Sequence, residues 1–186
     1  MDGVAHEARA LLAGSPYELT ESEGNRLRAC LPNWKGLCKR LMETGIPDAV
    51  DHGDLRPGNI RTVGGRIVFY DWAWSAITHP FIRIASLLHI LRRSVAELQQ
   101  VRQMLRDAYL EAWTAYAPLD RLRRVFGLAD RARILYDVAA DGTWLRCLVA
   151  AVADRPVSPT SADALTMRWR QYYYAKMVRR LFAPGP

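Results

Sequence analysis

The stretch "DHGDLRPGNIRTVGGRIVFYDW", residues 51–72, sets Asp54, Asn59 and Asp71 around a two-glycine turn. The runs "IRTV" (60–63) and "RIVFY" (66–70) are rich in β-formers. Gly64-Gly65 between them tolerates the positive φ of a two-residue turn, so a hairpin ending at Asp71 is predicted. Asp and Asn are ordinary turn residues, and each of the three side chains, taken singly, reads as one. Their joint spacing says more. The short loop brings Asp54 and Asn59 together, and the hairpin returns Asp71 to the same end.

Transfer of a phosphoryl group from a nucleotide needs a carboxylate near the acceptor hydroxyl and oxygen ligands for Mg²⁺ on a rigid frame. An Asp, an Asn five positions on and a second Asp across a hairpin meet those needs. Mg²⁺ prefers one or two carboxylates plus substrate phosphates over an all-protein cage. The protein-kinase signature H-R-D-L-x-x-x-N, followed by D-F-G, has the same Asp-to-Asn spacing. Here Gly53 replaces its arginine and Trp72 follows the second Asp.

The rest of the chain bounds the reading. Its 186 residues suffice for one well-cored domain, and with 50% hydrophobic and 24% charged residues it is not a disordered chain. No apolar run reaches the length of a membrane span. The start "MDGVAHEARALLAGS" has no basic segment before an apolar core, so it does not read as a signal peptide. Cys30, Cys38 and Cys147 form no CxxC pair, which fits a reducing cytoplasm. His6, His52, His79 and His89 lack the spacing of a transition-metal site. The net charge of +7 is carried almost wholly by arginine, in scattered doublets such as Arg92-Arg93, Arg123-Arg124 and Arg179-Arg180. That scatter suits solvated helix faces and argues against a nucleic-acid partner.

Helical patterns fill the remainder. In "LTESEGNRLRACL", Thr20 and Glu23 form a capping box. "PNWKGLCKRLMETG" carries one apolar stripe, closed by Gly45 before Pro47. "PFIRIASLLHILRR" is apolar nearly all round and predicts a buried helix starting at Pro80. Further helical signals run over 95–116, 119–140, 143–153 and 161–182, the last preceded by Ser/Thr/Pro residues suited to an N-cap. The expected fold class is α+β, predominantly α-helical, with one small β-hairpin.

"HGDLRPGN" and "VFYDW" together resemble the catalytic loop and metal motif of the aminoglycoside phosphotransferase/choline kinase-like family, which has a protein-kinase-like fold. "SAITHPF", "LPNWKGLCKRLMETGIPD" and "LRDAYLEAWT" extend the likeness weakly over most of the chain. The resemblance implies one C-terminal catalytic lobe over 1–186: a catalytic loop at 52–59, a metal motif at 71–72 and a helical acceptor-side region at 80–182. It implies Asp54 as the catalytic base or orienting group, His52 as a loop-stabilising residue, and Asn59 and Asp71 as ligands of the Mg²⁺ that accompanies ATP. Arg56 stands where the family usually has His, and is expected to contact the transferring phosphate. Arg83 stands where many members carry Asp, so a helix contact there must differ.

Members of that family also carry an N-terminal lobe with a glycine-rich loop and a phosphate-binding Lys. Here the residues before His52 read as helices, no G-x-G-x-x-G occurs, and Lys35 and Lys39 lie on a helical pattern. Three readings stay open: a kinase catalytic lobe completed by an N-lobe, with a separate N-lobe polypeptide as one source; a remnant that binds a ligand or Mg²⁺-nucleotide without catalysis; and a helical interaction or nucleic-acid-binding domain. The expected acceptor is a small hydroxylated molecule. Asp107, Glu111, Asp137 and Asp141 are candidate pocket liners, whereas Trp113, Trp144, Trp169 and Tyr172–Tyr174 read as packing residues rather than a cation cage.

Overall fold

A computed structural model describes residues 2–92, 98–153, 158 and 160–183. Along the chain run α1 (Asp2–Leu12), α2 (Glu21–Met42), β1 (Ala49–Asp51), a 3₁₀ turn (Pro57–Asn59), β2 (Ile60–Val63), β3 (Arg66–Phe69), β4 (Ala76–Thr78), α3 (Phe81–Arg92), α4 (Leu98–Glu111), α5 (Leu119–Val152) and α6 (Ala162–Leu181). The fold is α+β and mainly helical. Among the described residues no helix is long and apolar enough to cross a membrane.

The predicted hairpin is β2–β3, in the register Ile60↔Phe69 to Val63↔Arg66. Gly64 and Gly65 both have positive φ (55° and 76°), as a type I′ turn requires. A second antiparallel pair, β1–β4, was not anticipated; strands of three residues are too short to show an alternating pattern.

Two pairs of predicted helices are each continuous. In α2 the residues before and after Pro32 form one helix. The proline removes an N–H and crowds the preceding turn, a cost of roughly 3 kcal/mol. Burial of Leu27 and Leu31 before it and of Leu37 and Leu41 after it offsets that cost. The α5 helix runs 34 residues through Gly142. There a Cβ would stand 3.2 Å from the Tyr174 ring and hydroxyl, so the glycine is matched to a buried tyrosine. The helix predicted at 95–116 is α4 from Leu98; residues 95–97 lie outside the described residues, and Trp113 to Tyr116 form turns.

By packing, the chain forms two compact units, residues 1–36 with 134–186, and residues 37–133. Both boundaries fall inside helices, α2 and α5, so no linker composition marks them. The first unit buries Ala8, Leu12, Leu27, Val138, Leu145, Tyr174 and Val178 around one core. The Thr20 N–H donates to Glu23 Oε2 (3.0 Å) and the Glu23 N–H to Thr20 Oγ1 (3.2 Å), the predicted capping box. Ser161 caps α6 by accepting from the Ala164 N–H at 3.2 Å. Near the other end of α6, Trp34 Nε1 and Arg26 donate to the Leu181 and Phe182 carbonyls, which the helix itself leaves unpaired.

The second unit holds β1–β4 and α3, with Phe81, Ala85, Leu88, Leu110, Leu122 and Phe126 buried. Phe81 meets Tyr109 and Trp113 edge-on, at 6.1 and 5.7 Å between ring centroids. Gly45 (φ 77°) turns the chain after α2, as expected. His79 caps α3, its Nδ1 accepting from the Phe81 N–H at 3.3 Å. Thr44 Oγ1 donates to the Leu41 carbonyl (2.8 Å), so its 3.5 Å contact with His79 Nε2 has the imidazole as donor. Burial pushes the His79 pKa down from 6.5 to about 4, against the opposing pull of Asp48.

Two predictions follow from these contacts. Arg179 lies 2.6 Å from Glu23 and holds that carboxyl at about 2, below its usual 4.5. Glu23→Gln keeps a capping side chain but loses the charge, and should cost about 1 kcal/mol at neutral pH because the pair is partly exposed. The native carboxyl stays ionised to lower pH than the unfolded one. The difference from wild type in urea unfolding is therefore fully present above pH 4.5 and disappears as pH falls toward 2. For His79 the unfolded chain binds the proton first, so its contribution is complete above pH 6.5 and declines, by up to about 3 kcal/mol, as pH falls through 4. His79→Asn retains a cap without titrating and should flatten that part of the stability–pH curve; parallel curves would rule out the assignment.

Candidate functional site

The loop between β1 and β2 is built on main-chain bonds to the end of the hairpin. Residues 59 and 70 continue the β2–β3 register beyond Ile60↔Phe69, and the Tyr70 N–H donates to the Asn59 carbonyl at 2.9 Å. His52 is buried, and its Nε2 lies 2.7 Å from the Tyr70 carbonyl. A carbonyl only accepts, so Nε2 carries the hydrogen and Nδ1 is left to accept the Asp54 N–H at 3.3 Å. The His52 ring also packs at 4.6 Å on Trp72, whose Nε1 donates to the Phe69 carbonyl. His52 thus ties the loop at 52–59 to the residues on both sides of Asp71.

Within the loop the oxygens divide into held and open ones. Asn59 is buried, and its Nδ2 donates to the Asp54 carbonyl (2.8 Å) and to Asp54 Oδ2 (2.9 Å). Arg56 Nε donates to the same Oδ2 at 2.9 Å. Asp54 Oδ1 and Asn59 Oδ1 accept no hydrogen bond among the described residues. The nitrogen-side contacts fix both groups with one oxygen each left to act.

Asp71 adopts a left-handed backbone, φ 62°, the one described non-glycine residue to do so. Asp is among the few residues that tolerate this region, at a cost of order 1 kcal/mol, and such strain concentrates at functional positions. Its side chain is exposed, with no hydrogen bond to a described residue.

Two residues not singled out as site residues hold the loop from behind. Asp51, buried at the end of β1, accepts the Gly53 N–H on Oδ1 at 3.1 Å. Arg83, on the first turn of α3, donates from Nη2 to the Gly53 carbonyl at 2.5 Å and from Nε to Asp51 Oδ2 at 3.4 Å. Asp51 carried no signal, because β1 itself was not legible. Gly53 has φ 77°, and a Cβ there would collide with the backbone carbonyl of Trp74.

The residues suited to Mg²⁺ are Asn59 and Asp71, both hard oxygen donors; Asn59 Oδ1 is open and the Asp71 side chain is exposed and uncommitted among the described residues, which suits such an ion. Among the described residues no group of three His, Cys, Asp or Glu side chains could hold a metal. The predicted acceptor liners are divided between the two units. Asp107 is paired with Arg106 (2.7 Å) and Arg123 (2.9 Å), whose hydrogen bonds hold it at about 2. Glu111 is exposed near the end of α4, and Asp137 and Asp141 lie on the part of α5 in the first unit. Of the aromatic residues, Trp113 packs on Phe81, and Trp144 and Trp169 flank the chain's own Arg170 at 3.8 and 4.9 Å.

Comparison of the chain with protein-family models, with curated proteins and with solved structures gives no match. The geometry itself yields a test of the loop. Gly53→Ala adds both a Cβ in the left-handed region and a backbone collision, and should destabilise by roughly 2–4 kcal/mol. Thermal unfolding measures this; a loss under about 0.5 kcal/mol, the ordinary range of surface substitutions, would show that the loop adopts another path.

Proposed function

We propose that this chain is the catalytic lobe of a kinase-like phosphotransferase of the aminoglycoside phosphotransferase/choline kinase type. It would transfer the γ-phosphoryl group of ATP, with Mg²⁺, to a hydroxyl of a small molecule. The observation that carries this reading is that Asp54 is held through Oδ2 and Asn59 through Nδ2 while Oδ1 of each stays open, with Asp71 set by the same hairpin register.

Each side chain then has a role its contacts suit. Asp54 Oδ2 is fixed by Arg56 and Asn59, so Oδ1 is the atom that would orient the acceptor hydroxyl and take its proton. Arg56 uses Nε on Asp54 and has both Nη atoms left for a phosphate oxygen pair. Bound Mg²⁺, held by Asn59 and Asp71, would neutralise charge on the phosphates. His52 acts through the main chain, as the tie between Asp54 and Tyr70. A nucleotide-covering lobe, on another polypeptide or another stretch of the same protein, would complete the donor side. Exposed Val50, Ile67, Trp72 and Ile77 in the same unit are consistent with such a cover.

The deciding measurement is Mn²⁺ binding in the presence of ATP, followed by electron paramagnetic resonance of free Mn²⁺. Asp71→Asn should weaken it about tenfold or more, and Asp54→Asn far less. In a form supplied with a nucleotide lobe, Asp54→Asn should abolish transfer with circular dichroism unchanged. Arg56→Ala should lower turnover far more than it weakens acceptor binding. Binding that depends on Asp71 without any transfer would favour a nucleotide-binding remnant; no Mn²⁺ binding at all would overturn both.

A further inference from the structure

We infer that the partly buried Asp51–Arg83 pair is the device that positions the loop for chemistry, with both members acting as positioning residues through the Gly53 peptide. The inference rests on the phosphotransfer reading above.

Asp51 is 8% exposed as a residue and the Arg83 side chain 18%. Together they grip both polar groups of a single residue: Asp51 Oδ1 takes the Gly53 N–H, and Arg83 Nη2 donates to the Gly53 carbonyl. Arg83 Nε closes the ring on Asp51 Oδ2 at 3.4 Å. Gly53 is also confined at its Cα, which faces the Trp74 carbonyl too closely for any side chain.

A buried ion pair is a poor way to gain stability. Desolvation cancels much of its attraction, and an apolar pair of equal volume often does as well. What it does supply is direction, because a guanidinium fork presents two N–H groups at a fixed angle. That direction passes straight to the site. The Gly53 carbonyl belongs to the peptide that carries the Asp54 N–H. That N–H donates to His52 Nδ1, and the Asp54 carbonyl accepts from Asn59 Nδ2. Rotation of the Gly53 peptide would therefore move the proposed base and the proposed metal ligand together.

The test uses the ¹⁵N-labelled chain with Mn²⁺ and ATP as probe, read by broadening of the Asn59 side-chain amide and by the Gly53 and Asp54 backbone amides. Arg83→Met should shift both backbone amides and raise the half-saturating Mn²⁺ concentration at least ~tenfold, the usual scale for outer-shell partners of a metal site. Arg83→Lys keeps the charge without the fork and should fall between wild type and Arg83→Met; it carries the comparison if Arg83→Met does not fold. Adding Asp51→Asn to Arg83→Met should weaken binding little further, since the pair acts as one unit. Leu145→Ala, a change in the core of the first unit and not on α3, controls for lost stability. If it weakens Mn²⁺ binding as much as Arg83→Met at equal melting temperature, the positioning role is overturned. A wild-type response that Arg83→Met leaves intact also overturns it. No Mn²⁺ response in the wild-type chain overturns the phosphotransfer reading instead, and the positioning role with it.

Discussion

The main chain of Tyr70 carries two hydrogen bonds at once, accepting from His52 Nε2 and donating to the Asn59 carbonyl. That double tie depends on the hairpin register. With a type I′ turn at Gly64-Gly65, residue 59 must face residue 70, and Asp71 then follows at the open end of the ladder. A slip of one residue would reverse the faces of β3 and separate Asn59 from Tyr70. The β2–β3 hairpin is largely exposed, so apolar burial contributes little to holding this register. Turn geometry and the bonds of His52 and Asn59 do that work.

Behind the loop lies a different kind of constraint. The Gly53 main chain is bound by Asp51 and Arg83, and its Cα has no room for a side chain against Trp74. Arg83 sits on the first turn of α3, whose start is itself fixed by the His79 cap and by the Phe81 contacts with Tyr109 and Trp113. Packing of an apolar helix thus places a cation where the loop needs a donor. The chain of cause runs from the core of the second unit, through one ion pair, to the carboxylate of Asp54.

Much of the positive charge has a structural use that composition does not reveal. Arg102 and Arg133 meet Asp130, Arg106 and Arg123 meet Asp107, Arg146 meets Glu7, and Arg179 meets Glu23. These are mostly cross-braces between or within helices, and individually they contribute little where exposed. Their effect on the functional reading is larger: these arginines are already turned toward carboxylates, so fewer guanidinium groups are free to contact a polyanion, while the net charge of +7 is unchanged.

Local chemistry was legible from the sequence alone. The Gly64-Gly65 hairpin, the Thr20–Glu23 box and the Gly45 turn each depend on residues a few positions apart, and sequence spacing reports such contacts directly. The offsets of Asp54, Asn59 and Asp71 belong to the same class, since one loop and one turn connect them. The continuity of α2 through Pro32 and of α5 through Gly142 was not legible, because burial and a facing Tyr174 override local breaking tendencies. Nor was the β1–β4 pair, nor Asp51 as partner of Arg83, which is 32 residues away. The sequence by itself determined which side chains bear the proposed chemistry and at what spacing. Only the tertiary structure decided how the loop that carries them is held, because that depends on Asp51, Tyr70 and Arg83, brought in by β1, the hairpin end and α3 from outside the loop.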